Sequence, residues 1–366
     1  MDRLPRIVIT VLALALGLIV APQVAQRARD AFGSHTSKDG SDAPKVDRPG
    51  SSTTTSNNNE YVEYDSTTQQ WGSLISTWTV PPKPTVNNGQ FIALWPAIDG
   101  SMSVMQPVLA WQSSDEEWII ASWNCCRRQP YSSTAIKVSV GDAIMGTITP
   151  QCALGAIDCT DWTITTTNVT TGQSTTLKTT MAKQAIDTLL PAFLETQTQT
   201  SCVDLPANTG VTFITHAFDN HQNQINPAWY TAQDANDGSG PVAGLDCGWS
   251  QAVSGSQFTL GYDAGSAAVP NFLLTGSPAK LSLTRGSSVR FPVDLVAQHG
   301  FSGSATLGTY GLPAGVTATF STNPLTTRST VTLTASSSAT TGTAYIAVKG
   351  ASGSKHAAEP LMLTVK

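Results

Sequence analysis

From Glu60 onward the chain is a succession of short runs in which apolar and polar residues alternate, punctuated by Gly, Asn, Asp and Pro. A period of two is the strand signature, and many such runs in series confine the chain to an all-β sandwich or barrel. The stretch FIALWPAIDGSMSVMQPVLAW, Phe91 to Trp111, reads as two strands joined by a turn at Asp99-Gly100. Alternation puts Val104, Gln106, Val108 and Ala110 on one face, and Met105, Leu109 and Trp111 on the other. A side-chain amide in an apolar strand needs hydrogen-bond partners if it is buried. Gln106 is therefore either solvated or aimed at a ligand. IKVSV-GD-AIMGTI reads as a hairpin about Gly141-Asp142, and Trp162 to Leu177 as a second about Thr171-Gly172. Ile186, Leu189 and Leu190 have helix spacing, which predicts one helix over Met181 to Leu190, ended by Pro191.

The texture of the chain divides it. Arg3 and Arg6 precede an apolar run from Ile7 to Val20, the pattern of an export signal. Residues 1–26 are read as a signal peptide, with an uncleaved anchor as the alternative, so the protein is expected to be secreted or membrane-anchored and outward facing. Residues 27–59, which include SSTTTSNNN, are read as a polar linker or removable pro-segment. All nine tryptophans fall between Trp71 and Trp249, and residues 60–262 are read as one β-sandwich. A linker is expected over 263–276. From about Phe272 tryptophan and cysteine vanish, and 277–366 reads as a smaller β-sandwich. Charged residues make up only 12% of the chain and the formal charge is −5. Without a basic patch, nucleic acid is excluded as a partner.

Six cysteines, none in C-x-x-C, favour disulfides over a zinc ribbon. Cys152–Cys159 and Cys202–Cys247 are the expected pairs. The adjacent Cys125 and Cys126 are left open. No G-x-S-x-G elbow, H-E-x-x-H motif, or Asp-Thr-Gly or Asp-Ser-Gly loop is present. His216, Asp219 and His221 are weighed as a metal site against plain surface polar residues, and the latter is expected. No metal and no cofactor are therefore assigned. Asn168-Val169-Thr170 is a glycosylation sequon. In LLPAFLETQTQ, an extended reading places Phe193, Glu195 and Gln197 on one face.

These segments together resemble the eqolisin family of glutamic peptidases. STWTVP, Ser76 to Pro81, is similar to the family's opening strand. WPAIDG, Trp95 to Gly100, resembles its W-x-G-I-D-G segment, and VMQPV the strand that carries its catalytic glutamine. IKVSVGDAI resembles the hairpin before the second half. NVTTGQS, Asn168 to Ser174, is close to the family's N-L-T-T-G-Q-S turn. LPAFLE falls where the family has A-E-W-I-V-E, whose last glutamate is catalytic. Glu195 follows Gln106 by 89 residues, near the family's spacing. The resemblance spans roughly Tyr64 to Phe218.

It implies a jelly-roll-like antiparallel β-sandwich and an acid endopeptidase acting on protein or peptide substrates. Glu195 would be the general base and Gln106 the oxyanion donor. Trp95 and Asp99 match positions near the family's site. Four features depart from the family. Ser122 stands before Trp123 in place of an acid, and Phe193 in place of a tryptophan. Pro107 replaces a smaller residue, and the segment from Ala217 to Gly261 is longer. GLPAGV, Gly311 to Val316, resembles the Ig-like modules of bacterial secreted hydrolases. This implies a C-terminal spacer, or a contact with a cell surface or polysaccharide. A monomer is expected.

Two other functions compete. A non-catalytic sandwich would bind carbohydrate or a surface through Trp111, Trp118 and Trp123, and Trp111 and Trp123 would line a substrate cleft in either case. A glycoside hydrolase would need two carboxylates about 5 to 10 Å apart, with Glu116 or Glu117 as the partner of Glu195.

Overall fold

The computed structural model describes residues 56–66, 70–100, 103–125, 131–157, 159–181, 186–234 and 245–366. The signal-like residues 1–26, nearly all of the 27–59 segment, and Cys126 lie outside them. Among the described residues no helix is long and apolar enough to cross a membrane.

The chain is all β, as its alternation requires. In order the strands are β1 (Ser56–Asp65), β2 (Trp71–Thr79), β3 (Phe91–Gly100), β4 (Ser103–Gln112), β5 (Glu117–Cys125), β6 (Tyr131–Ser132), β7 (Ile136–Val138), β8 (Ala143–Pro150), β9 (Asp161–Asn168), β10 (Ser174–Thr180), β11 (Ile186–Gln199), β12 (Gly210–Asp219), β13 (Gln224–Ile225), β14 (Tyr230–Asp234), β15 (Ser250–Ser254) and β16 (Gln257–Gly261). They form two sheets. The first runs β14-β1-β11-β3-β4-β5-β6, with β7 also on β5; the second runs β10-β9-β8-β2-β12-β16-β15, with β13 on β12. Leu94, Leu109 and Ile120 of the first sheet bury against Trp78, Ile144 and Phe213 of the second. Gly146 permits the close approach. A Cβ there would stand 2.4 Å from Cγ of Pro107, so Pro107 wedges β4 onto β8 and holds the neighbouring Gln106 outward.

The C-terminal part is a second sandwich of β17 (Asn271–Thr275), β18 (Lys280–Leu283), β19 (Ser288–Gln298), β20 (Thr306–Tyr310), β21 (Val316–Phe320), β22 (Arg328–Ala335), β23 (Gly342–Ser352) and β24 (Lys355–Val365). Its sheets run β17-β19-β22-β21 and β18-β24-β23-β20 and share one core. It is seated on the first sandwich. Ile75, Met145 and Phe218 on the outer face of the second sheet bury against Ala347, Ala358 and Met362. Thr77 Oγ1 donates to the Ala358 carbonyl at 2.6 Å.

Several expectations change. The helix over 181–190 does not form: β11 runs from Ile186 through Pro191, between β1 and β3. Two flanking strands satisfy its backbone, which outweighs a short stretch of helix spacing. Pro191 is tolerated because register shifts flank it on both sides, between Leu190 and Phe193 against β3 and between Leu189 and Ala192 against β1. The hairpin about Gly141-Asp142 is not one either. β7 pairs β5 in the first sheet while β8 pairs β2 and β9 in the second, so the turn passes the chain between sheets. The hairpin about Thr171-Gly172 forms, with Thr167 opposite Ser174. β3 and β4 pair as expected, but Gly100 faces Ser103, which moves their turn off Asp99-Gly100. β1 starts inside the 27–59 segment and β17 inside the 263–276 linker.

Candidate active site

The outer face of the first sheet carries Gln106, Glu195, Trp95, Asp99 and Trp123 from among the residues singled out from the sequence. Tyr61, Ala93, Trp95, Ala97, Val108, Trp123, Leu190 and Phe193 form one buried cluster there. Odd-numbered residues of β1 and β3, odd-numbered residues of β11 from Phe193 onward and even-numbered residues of the β4 segment share this face. Glu195, Gln106, Asp99, Asn59 and Glu63 therefore stand on it, and all are fully or nearly fully buried. That face is closed to solvent.

Cross-strand register sets the layout. One row reads Asn59, Glu195, Ala93, Ala110 across β1, β11, β3 and β4. On the far side of β1, the backbone of Asp234 in β14 pairs with Asn59. The next row reads Tyr61, Phe193, Trp95, and its rings stack: Tyr61 on Phe193 at 5.0 Å and Phe193 on Trp95 at 4.0 Å between centroids, both with planes 8° apart. Gln106 faces Trp123 on β5 and lies four residues from Ala110 along β4. Spacings of about 4.8 Å between strands and 3.3 Å along them put the Cα atoms of Gln106 and Glu195 roughly 16 Å apart on a flat sheet.

Each oxygen of Glu195 has a donor. Trp95 Nε1 donates to Oε2 at 3.3 Å and Gln197 Nε2 donates to Oε1 at 2.9 Å. Gln106 is the opposite case. Among the described residues neither Oε1 nor Nε2 of its buried amide has a hydrogen-bond partner. The side-chain amide of Asn59 is orphaned in the same way. An unmade hydrogen bond costs about 1 to 3 kcal/mol at a buried polar group, so two such amides on one face mark it as polar by design.

An acidic group lies at the far end of the face. Burial, with the charges of Asp65 and Asp99 nearby, pushes the Glu63 carboxyl up to about 8. Thr188 donates to Asp65 at 2.6 Å, and burial raises that carboxyl too.

Trp95, Asp99 and Trp123 stand on the face of Gln106 and Glu195. Trp111 does not: it packs inside the sandwich against Trp118, edge to face at 5.5 Å. Trp118 is thereby also withdrawn from the proposed sugar-stacking set. Ser122 faces inward, hydrogen-bonded to Thr166 Oγ1 at 2.9 Å and to the Thr175 carbonyl at 3.0 Å. Glu117 pairs with Lys137 at 2.7 Å and Glu116 accepts from Asn87 at 3.2 Å, so neither is held against Glu195. His216 is not a surface residue. It is buried at the junction with the C-terminal sandwich, and burial lowers its pKa to about 4. Asp219 instead caps the following turn through the backbone N–H groups of His221 and Asn223. Among the described residues no group of three His, Cys, Asp or Glu side chains is placed to hold a metal. Asn168 of the sequon is buried, and its amide donates to Asp142 at 2.7 Å.

Cys152–Cys159 and Cys202–Cys247 are disulfides, and Cys125 is also disulfide-bonded. Sequence reasoning missed Asn59, Tyr61 and Glu63. Their alternation in NNNEYVEYD was the available signal, hidden where the low-complexity run continues into β1.

No family model and no curated protein matches the chain. Among solved structures it is similar to scytalido-glutamic peptidase in complex with a peptide-based transition-state analogue, with a TM-score of 0.38 and 16% identity over 57% of this chain and 98% of that one. SCP-B, a member of the eqolisin family of peptidases solved with the tripeptide Ala-Ile-His, gives a TM-score of 0.37 at 16% identity over the same shares. The S-layer protein SbsC gives a TM-score of 0.23 at 12% identity, over 83% of this chain and 54% of that one.

Proposed function

We propose that the chain is a secreted, acid-active endopeptidase that hydrolyses peptide bonds with Glu195 as general base and a buried side-chain amide of the same sheet face as the oxyanion donor, the part that the family resemblance gives to Gln106. The reading rests above all on Glu195: a fully buried carboxylate, hydrogen-bonded at each oxygen, on the same sheet face as an amide with no partner among the described residues. The ordered motifs from STWTVP to LPAFLE support it.

In this mechanism Glu195 takes a proton from a water molecule as the water oxygen bonds to the scissile carbonyl carbon. The carbonyl oxygen becomes an oxyanion and accepts a hydrogen bond from a side-chain amide. Glu195 then returns the proton to the amide nitrogen as the C–N bond breaks. A neutral amide donates at any pH. The disulfides and the low charge content suit an extracellular, acidic setting.

The test is cleavage of a denatured protein by the full chain from pH 2 to 7, with Glu195→Gln and Gln106→Leu alongside. Glu195→Gln should lower kcat by about 100- to 10,000-fold, and a loss of about 100- to 1,000-fold in Gln106→Leu assigns the oxyanion donor to that residue. Cleavage that survives in both variants places the chemistry elsewhere. A folded wild type with no cleavage at any pH leaves the non-catalytic binding role.

A further inference from the structure

Gln106 is not the amide that register places beside Glu195. We infer that Asn59, three strands from Gln106, is the amide whose Nδ2 donates to the oxygen of a scissile carbonyl beside Glu195, while Gln106 binds the substrate farther along the same face. This inference rests on the peptidase reading above and deepens it.

Three observations carry it. Asn59 is the direct cross-strand partner of Glu195, and such pairs on one sheet face have Cβ atoms about 4.5 to 5.5 Å apart. Gln106 is two strands and two rows away. Asn59 is 1% exposed, and among the described residues both its Oδ1 and Nδ2 lack a partner. A buried amide left unpaired at both ends destabilises the fold, and strands disfavour Asn in any case. The position suits a ligand better than it suits the sheet. Glu195 accepts from Trp95 and Gln197, and Asn59 Nδ2 does not donate to it. The amide is therefore free to meet a group brought by the substrate.

The chemistry of that group follows from its neighbours. On the register row of Glu195 the β3 and β4 residues are Ala93 and Ala110. Small side chains there obstruct an extended backbone laid along the sheet least. The next row is a stack of three rings, a flat apolar wall for a side chain of the bound peptide. A carbonyl lying between Asn59 and Glu195 would present its carbon to water activated by Glu195 and its oxygen to Asn59 Nδ2. No further proton is required: the oxyanion accepts a hydrogen bond, and Glu195 carries the proton from water to the leaving nitrogen.

The test is steady-state cleavage of a peptide substrate at acid pH by the full chain, with Asn59→Leu, Asn59→Ser and Glu195→Gln, and a thermal melt of each. Asn59→Leu should lower kcat on the order of 100-fold with KM within about threefold, the size of effect seen when one oxyanion donor is lost. Its melting temperature should hold or rise, because an unpaired buried amide is replaced by an apolar group. Asn59→Ser gives the same kinetic comparison should the leucine not fit. Full kcat in the Asn59 variants, with Glu195→Gln inactive, overturns the role of Asn59 and leaves the peptidase reading standing. A fall in kcat matched by a drop in melting temperature overturns it too, because Asn59 would then be a structural residue. A wild type that cleaves nothing removes the peptidase reading and this inference with it.

Discussion

Trp95 donates its indole N–H to Glu195 Oε2 at 3.3 Å while its ring lies 4.0 Å from that of Phe193. One side chain thus orients the carboxylate and anchors it to the ring stack. Trp95→Phe keeps the stack and removes the donor. A hydrogen bond to a charged group contributes about 1.5 to 3 kcal/mol, so kcat/KM should fall about 10- to 100-fold at little cost in melting temperature. Unchanged kinetics would show that Glu195 needs no help from Trp95.

Stability should be greatest in acid. Burial raises Glu60 and Glu63 from an ordinary 4.5 to about 8, and raises Glu359 as well. A carboxyl raised in the folded state leaves stability intact below the unfolded value and withdraws it as pH rises toward the folded one. Glu60 and Glu63 each remove about 1.4 kcal/mol per pH unit across that window. His216 acts in the other direction. Its pKa is lowered from 6.5 to about 4, so its contribution is lost as pH falls between those values. Two carboxyls outweigh one histidine above 4.5, and thermal melts from pH 5 to pH 8 should show a steadily falling midpoint. Glu60→Gln with Glu63→Gln should flatten the slope. A midpoint that rises over this range would refute the account.

The C-terminal sandwich should be a structural part of the first rather than a tethered module. Phe218 is 1% exposed at the junction, and Phe218→Ala should cost about 3 to 5 kcal/mol in urea denaturation. A loss under 1 kcal/mol would mean that the two sandwiches are only loosely docked.

The disulfides should contribute unequally. Cys202–Cys247 closes a separation of 45 residues and Cys152–Cys159 one of 7. Chain-entropy reasoning gives about 4 and about 2 kcal/mol respectively. Cys-to-Ser pairs compared by denaturation midpoint would check the order, and equal losses would show that native-state strain rather than loop length decides.

Much of the site was legible in the strand period. Gln106, Val108 and Ala110 share a face because successive side chains alternate, and the same rule aligned Phe193, Glu195 and Gln197. Cys152–Cys159 could be expected from its short spacing, and Cys202–Cys247 followed as the next pair. The helix over Met181 to Leu190 was misread because a strand with both faces buried has no alternation to show: Leu189 packs inside the sandwich and Leu190 outside it. Trp111 read as a cleft residue because tryptophan suits cores and binding faces equally.

The sequence alone determined the all-β class and which residues of a given strand stand together. Those properties depend on a period of two and on turn residues, both local. Only the tertiary structure decided which strands are neighbours. That choice set Asn59 opposite Glu195, left Gln106 two rows away, and turned the Gly141-Asp142 bend from a hairpin into a crossing between sheets. Register is a relation between segments far apart in the chain, fixed by how their buried faces and bulges fit, and no single segment encodes it.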